Sequence, residues 1–123
     1  MFEWASLIIG AYLLGAVPVG FILARSRGID LRTVGSGNIG ATNLGRALGR
    51  KWAVVCFVLD ALKGFVPTLA GRWVVGAGTP TVGELFGWQA AGCAAIVGHM
   101  FPVYLRFRGG KGVSTGMGML MGL

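Results

Sequence analysis

The run from Trp4 to Ala24 carries no charged residue, and it limits what this chain can become more than any other feature. About 20 apolar residues in an α-helix cross a hydrocarbon core of about 30 Å. The run does not read as a secretory leader, because Glu3 stands at its head, the apolar stretch is too long, and the basic cluster follows it. Composition agrees with a membrane solvent. Residues are 54% hydrophobic and only 12% charged, against about 25% charged in soluble domains, and mean hydropathy is +0.73. The chain reads as an all-α integral membrane protein in a single polytopic domain over residues 1–123.

Two further apolar runs follow, Trp52–Gly71 and Leu85–Leu105, and a fourth begins at Val113 and continues to Leu123. The expected architecture is three complete transmembrane helices, about 4–24, 52–71 and 85–105, plus the start of a fourth at 113–123. Pro18 predicts a kink in the first span, with Gly15 and Gly20 allowing close helix packing. The segment 72–84, rich in Gly, Thr and Pro, predicts an external turn. Met100 to Tyr104 predicts an aromatic belt at the membrane interface.

Charge is distributed by topology. Lys and Arg number 11 against 4 Asp and Glu, and most of the cations lie in short loops between apolar runs. That pattern argues against nucleic acid as a partner and for the lipid bilayer. Arg25, Arg27, Arg32, Arg46, Arg50 and Lys51 place the loop 25–51 in the cytoplasm, so the N-terminus is expected outside. Arg106, Arg108 and Lys111 place the loop 106–112 on the same cytoplasmic side. Cys56 and Cys93 fall inside apolar runs and read as buried free thiols, and no Cys, His or carboxylate cluster has metal-ligand spacing.

The two loops carry the chemistry. Gly35 to Arg46 reads Gly-Ser-Gly-Asn-Ile-Gly-Ala-Thr-Asn-Leu-Gly-Arg, and Arg106 to Gly112 reads Arg-Phe-Arg-Gly-Gly-Lys-Gly. Glycines let backbone N–H groups approach a ligand, and hydroxyls, amides and cations at this density suit phosphate. The plainer reading is a flexible loop whose arginines only mark the cytoplasmic face. Ala41–Arg50 predicts a short interfacial helix, with Leu44 and Leu48 on one side and Arg46 and Arg50 on another. Gly35, Gly37 and Gly40 match a dinucleotide-binding spacing, but no strand precedes them. Gly110-Lys111 resembles a P-loop ending, but Gly112 stands where Ser or Thr would hold magnesium.

Within the second run, Asp60 and Lys63 share a helix face and can pair, with Cys56 and Pro67 continuing that face. Ionisable groups inside a span normally face a protein interior or a watery cavity and mark function, and a structural ion pair is the other reading. His99 is the sole ionisable group of the third run. It reads more readily as a hydrogen-bonded packing residue than as a base.

Ser36-Gly37-Asn38-Ile39-Gly40-Ala41-Thr42-Asn43, followed by Arg46, resembles the first signature of the bacterial membrane acyl-phosphate:glycerol-3-phosphate acyltransferases. Asp60-Ala61-Leu62-Lys63-Gly64 is similar to a further recurring piece. Gly98-His99-Met100-Phe101-Pro102 and Phe107-Arg108-Gly109-Gly110-Lys111-Gly112-Val113 resemble the second signature. The resemblance implies transfer of a fatty acyl group from acyl phosphate to the 1-hydroxyl of glycerol 3-phosphate in the bacterial inner membrane. The products are lysophosphatidate and phosphate, for phospholipid biosynthesis.

The donor is already activated, so orientation and charge stabilisation suffice, and no cofactor, metal or covalent nucleophile is implied. By carry-over Ser36 and Arg46 are expected to be catalytic, and Gly109, Gly110 and Gly112 to shape a phosphate loop. Arg46 and Lys111 are expected to neutralise phosphate charge. Ser36 is expected to hydrogen-bond the acceptor, and Gly37, Asn38, Thr42 and Asn43 to line the phosphate sites. Asp60, Lys63 and His99 are expected to support the floor. A third family signature, carrying a histidine and an asparagine, is missing, so the chain is expected to be an N-terminal fragment, inactive alone. The rival from another class is a small transporter or channel subunit with Asp60 and Lys63 lining a polar path.

Overall fold

In a computed structural model describing all 123 residues, the first apolar run divides at its proline. Helix α1 spans Phe2–Ala16 and α2 spans Val19–Arg25. Pro18 has no N–H to donate, and its ring excludes a helical carbonyl one turn back. The expected kink is therefore a break, with Val17 extended between the two helices. The break frees the Gly15 and Val17 carbonyls, and the Lys63 ammonium donates to both, at 3.2 and 2.8 Å.

Four more helices follow: α3 Ala41–Leu48, α4 Arg50–Val75, α5 Val82–Met100 and α6 Val113–Gly122. Gly49, at φ +101°, adopts a conformation that L side chains avoid, and it separates α3 from α4. The interfacial helix thus stops at Leu48, and Arg50 already begins the next element. Helix α4 overruns its expected end at Gly71, and Arg72 donates to the Gly76 carbonyl just past its C-terminus. The turn to α5 shrinks to 76–81. It closes on a capping box in which Thr81 and Glu84 satisfy each other's backbone N–H groups.

The third apolar run is also shifted. Helix α5 ends at Met100 rather than Leu105, because Pro102 cannot continue it, and Val103–Leu105 form a separate short turn. The aromatic stretch consequently leaves α5 after Met100 and enters a short 3-10 helix at Val103. Phe2–Arg25 and Arg50–Val75 are long and apolar enough to cross a membrane. Helix α5 has the length but not the same hydropathy, being diluted by Glu84, Gln89 and His99.

Small residues bring the helices together. Gly15 of α1 lies against the backbone of Ala95, and Gly98 of α5 lies against Tyr12 and Ala16, with Ala11, Ala91 and Ala95 buried between them. Gly64 of α4 lies against Thr115 of α6, and Gly118 lies against Ala61. Gly118 and Gly122 are four apart, the spacing that lets backbones approach where lipid removes the hydrophobic drive. Outward, Val54, Val58, Leu62 and Val66 leave α4 with an apolar exposed stripe. A second cluster under the first loop joins Ala24, Leu31, Ile39, Leu44 and Cys56.

A side chain at Gly118 would overlap the Ala61 backbone. Gly118→Leu is expected to destabilise the helical bundle by about 1–3 kcal/mol, read as a lowered unfolding midpoint in detergent. An unchanged midpoint would contradict the α4–α6 contact.

Candidate functional site

The first glycine loop is folded around one asparagine. Asn43, 2% exposed, donates through Nδ2 to the carbonyls of Leu31, Val34 and Asn38 at 3.1, 3.0 and 2.9 Å. Its Oδ1 accepts the Ser36 N–H at 3.2 Å. Asn43 was expected to help hold acyl phosphate; it borders the cleft described below, and the loop's own backbone occupies its amide. Gly35, at φ +53°, passes so close to Asn43 Oδ1 that a Cβ would overlap it. Gly37 is likewise a turn residue: its N–H donates to the Val34 carbonyl at 2.9 Å, and it stays out of the cleft described below. Asn38 accepts the Gly40 N–H at 2.8 Å, closing the turn into α3. Upstream, Asp30 grips Arg32 at 2.9 Å, and that hydrogen-bonded guanidinium holds the Asp30 carboxyl down to about 2.

The second glycine loop differs from expectation. The N–H of Gly109 donates to the Met100 carbonyl at 3.0 Å, and that of Gly110 to the His99 carbonyl at 3.1 Å. Those amides close the end of α5 and are not available to a phosphate. The two residues are glycines for proximity. A Cβ on Gly109 would overlap the His99 carbonyl and Pro102, and one on Gly110 would overlap the His99 imidazole. Phosphate-binding capacity moves downstream. Gly112, at φ +76°, caps the N-terminus of α6, so the amides of Val113, Ser114 and Thr115 have no intrahelical acceptor.

A cleft of about 380 Å³ lies between the loops. Ser36, Asn38, Thr42 and Arg46 line one wall, Lys111, Gly112 and Ser114 the other, and Asp60 and His99 the floor. The N-termini of α3 and α6 therefore meet at one cavity, each offering free amides and the positive end of its dipole. Arg46 and Lys111 are both exposed and neither is paired with an acid. An apolar groove of about 280 Å³, formed with Ala53 and Val54 of α4, adjoins the cleft and shares Ala41, Thr42 and Phe57 with it.

Beneath the floor, Asp60 Oδ1 lies 2.7 Å from Lys63 Nζ, with the side chains 2% and 4% exposed. Asp60 reaches the cleft floor, while Lys63 is not among the residues that line the cleft. Lys63 turns to the broken helix and to His99 Nδ1, 3.2 Å away, while Cys56 Sγ donates to Asp60 Oδ2 at 3.4 Å. His99 thus joins the cluster from another helix. The start of the fourth segment at Val113 was expected, but its N-terminus and Ser114 were not read as part of the site; Gly112 ahead of Ser114-Thr115 was the available signal.

The family model for glycerol-3-phosphate acyltransferase matches residues 5–123. The chain is 49% identical over 118 residues to a glycerol-3-phosphate acyltransferase of Geotalea daltonii, covering 95% of this chain and 57% of that protein. It is 47% identical over 114 residues to one of Aquifex aeolicus, covering 93% and 56%. Among solved structures it is similar to PlsY, described as an integral membrane glycerol 3-phosphate acyltransferase. The glycerol 3-phosphate form superposes with a TM-score of 0.88 at 44% identity, over 98% of this chain and 57% of that one. The lysophosphatidic acid form gives 0.85 at 42%, over 98% and 56%. The chain therefore spans little more than half the length of these relatives. Over that length, the match of sequence and fold places this chain in the glycerol-3-phosphate acyltransferase family.

Proposed function

We propose that this chain forms the phosphate-binding part of an acyltransferase that moves a fatty acyl group from acyl phosphate to the 1-hydroxyl of glycerol 3-phosphate. The observation that carries the reading is the meeting of two helix N-termini, Arg46 and Lys111 at a single cleft. Two phosphate-bearing substrates need two sets of donors on one face, and the cleft supplies them. The adjoining apolar groove beside Val54 suits an acyl tail. The family's solved structures, described with glycerol 3-phosphate and with lysophosphatidic acid, name a substrate and a product of this reaction.

The substrate hydroxyl attacks the acyl carbon, the carbon–oxygen bond to phosphate breaks, and phosphate leaves with the electron pair. The hydroxyl proton balances the reaction by leaving on hydrogen phosphate. The protein's task is to hold two anions together and to stabilise charge as it passes to the leaving group. Arg46, with its planar fork, suits a bidentate phosphate contact, and Lys111 acts as a mobile point charge. Ser36 and Thr42 offer hydroxyls, and the α6 amides at Val113 and Ser114 offer fixed donors. Gly112 permits that helix start, Asn38 and Gly37 shape the opposite rim, and Asp60 and Lys63 support the floor.

This reading sets the chain in a bacterial inner membrane, with α1–α2, α4 and α5 as spans and α6 opening a fourth. The N-terminus lies outside and both glycine loops lie in the cytoplasm. The cation excess of those loops supports that orientation, and the cleft they share supports their lying on one side.

Arg46→Ala, placed in the whole enzyme, is expected to lower acyl transfer well over tenfold, with Arg46→Lys recovering only part of it. Near-normal turnover by Arg46→Ala, measured with acyl phosphate and labelled glycerol 3-phosphate, would refute the assignment. Val54→Trp is expected to reduce turnover of long-chain acyl phosphates about tenfold relative to short-chain ones. Equal loss at all chain lengths would remove the acyl tail from the groove.

A further inference from the structure

His99 is the only histidine in the chain, and its two ring nitrogens face different surroundings. Nδ1 lies 3.2 Å from Lys63 Nζ. An ammonium only donates, so Nδ1 accepts and the ring proton resides on Nε2. The carboxylate that would favour the opposite tautomer is out of range: Asp60 Oδ1 is 3.7 Å from Nδ1 but 2.7 Å from Lys63. Lys63 is itself fixed from a third direction by the carbonyls of Gly15 and Val17, so its three protons meet three acceptors while Asp60 pairs with its charge.

The opposite edge of the ring is different. His99 is 6% exposed and lines the floor of the cleft. Its Nε2 packs over the α-carbon of Gly110 and has no hydrogen-bond partner in the protein. That N–H edge is open to the cleft and free to meet a ligand there. Its neighbours across the cleft, Lys111, Arg46 and the first-turn amides of α6, are donors too. The one acid at the cleft, Asp60, is ion-paired with Lys63, so donors outnumber acceptors there and favour an oxygen-rich anion.

We propose that His99 is a neutral, Nε2-protonated hydrogen-bond donor that holds a phosphate oxygen of a substrate in the cleft. Lys63 is the positioning residue that fixes this tautomer. The inference rests on the phosphate reading of the cleft and adds a donor to it. His99 is then not a base, because its basic nitrogen is turned away from the cleft and occupied. Asp60 cancels the Lys63 charge, so the cluster delivers a directed dipole beneath the phosphate rather than a further cation. Gly110 is glycine because the donor edge of the ring lies against it.

The test uses ring-¹⁵N-histidine in the chain in detergent, where the single histidine gives one pair of nitrogen resonances. Without ligand, Nε2 is expected to be of the protonated pyrrole type and Nδ1 of the bare pyridine type. Lys63→Met is expected to lose that preference. Glycerol 3-phosphate and an alkyl acylphosphonate, added separately, distinguish the acceptor's phosphate from the donor's, and one of them is expected to shift Nε2–H. His99→Gln, whose amide nitrogen falls near Nε2, is expected to keep affinity for that ligand. His99→Asn and His99→Leu are expected to lose about tenfold. A proton on Nδ1, a doubly protonated ring, or an unmoved Nε2 upon demonstrated binding overturns the role of His99. Failure of both ligands to bind the whole enzyme as well as this chain overturns the phosphate reading itself.

Discussion

The buried ammonium of Lys63 is the interaction on which the rest of the structure depends. It reaches Asp60 on its own helix, the Gly15 and Val17 carbonyls of the broken first run, and the imidazole of α5. Three separate segments are thereby tied at one point beneath the cleft. Removing one member of a buried ion pair costs about 3–5 kcal/mol, because the charge left behind has neither water nor a partner. The break at Pro18 and the ion pair are thus one feature. Proline breaks the helical ladder, and Lys63 satisfies the Gly15 carbonyl and adds a second partner to that of Val17 in an apolar medium.

The cleft sits directly above that tie, which explains how a site built largely of loops keeps its shape. Asn43 braces the loop before α3 from within, and Gly109 and Gly110 bind the other loop to the end of α5. Each wall ends in a helix N-terminus and carries one unpaired cation. The site therefore arrives pre-charged for anions, with donors held in place before a ligand enters. That is the economical arrangement for reacting two molecules that repel each other. An apolar groove opens beside it, so a substrate with a phosphate head and a hydrocarbon tail finds both solvents within one cavity's reach.

Much of this was legible in the sequence where the signal is local. The uncharged run 4–24 has a single physical reading, and the i,i+3 spacing of Asp60 and Lys63 and the clustering of glycine with arginine each narrow to two. What was not legible depends on contacts far apart in the chain. Nothing near His99 announces a lysine thirty-six positions earlier, and the pairing follows from how α4 and α5 cross. Gly109 and Gly110 look like phosphate-loop glycines, yet their amides belong to the end of α5, which only the chain reversal at Pro102 brings alongside. Asn43 looked like a ligand because exposed asparagines in polar loops often are. Its burial arises from Leu44 beside it, which is drawn into the cluster with Leu31 and Ile39. Helix ends differ from the ends of the apolar runs in both directions, since Arg72 continues a helix past one run and Pro102 stops another short of its end.

The central claim is that both basic loops face one phosphate site. Lysine-selective acetylation followed by mass spectrometry tests it most directly, because Lys111 lines the cleft while Lys51 lies outside it. Glycerol 3-phosphate is predicted to slow modification of Lys111 and to leave Lys51 unaffected. Equal rates at Lys111 with and without the ligand, or equal slowing at both lysines, would contradict the account.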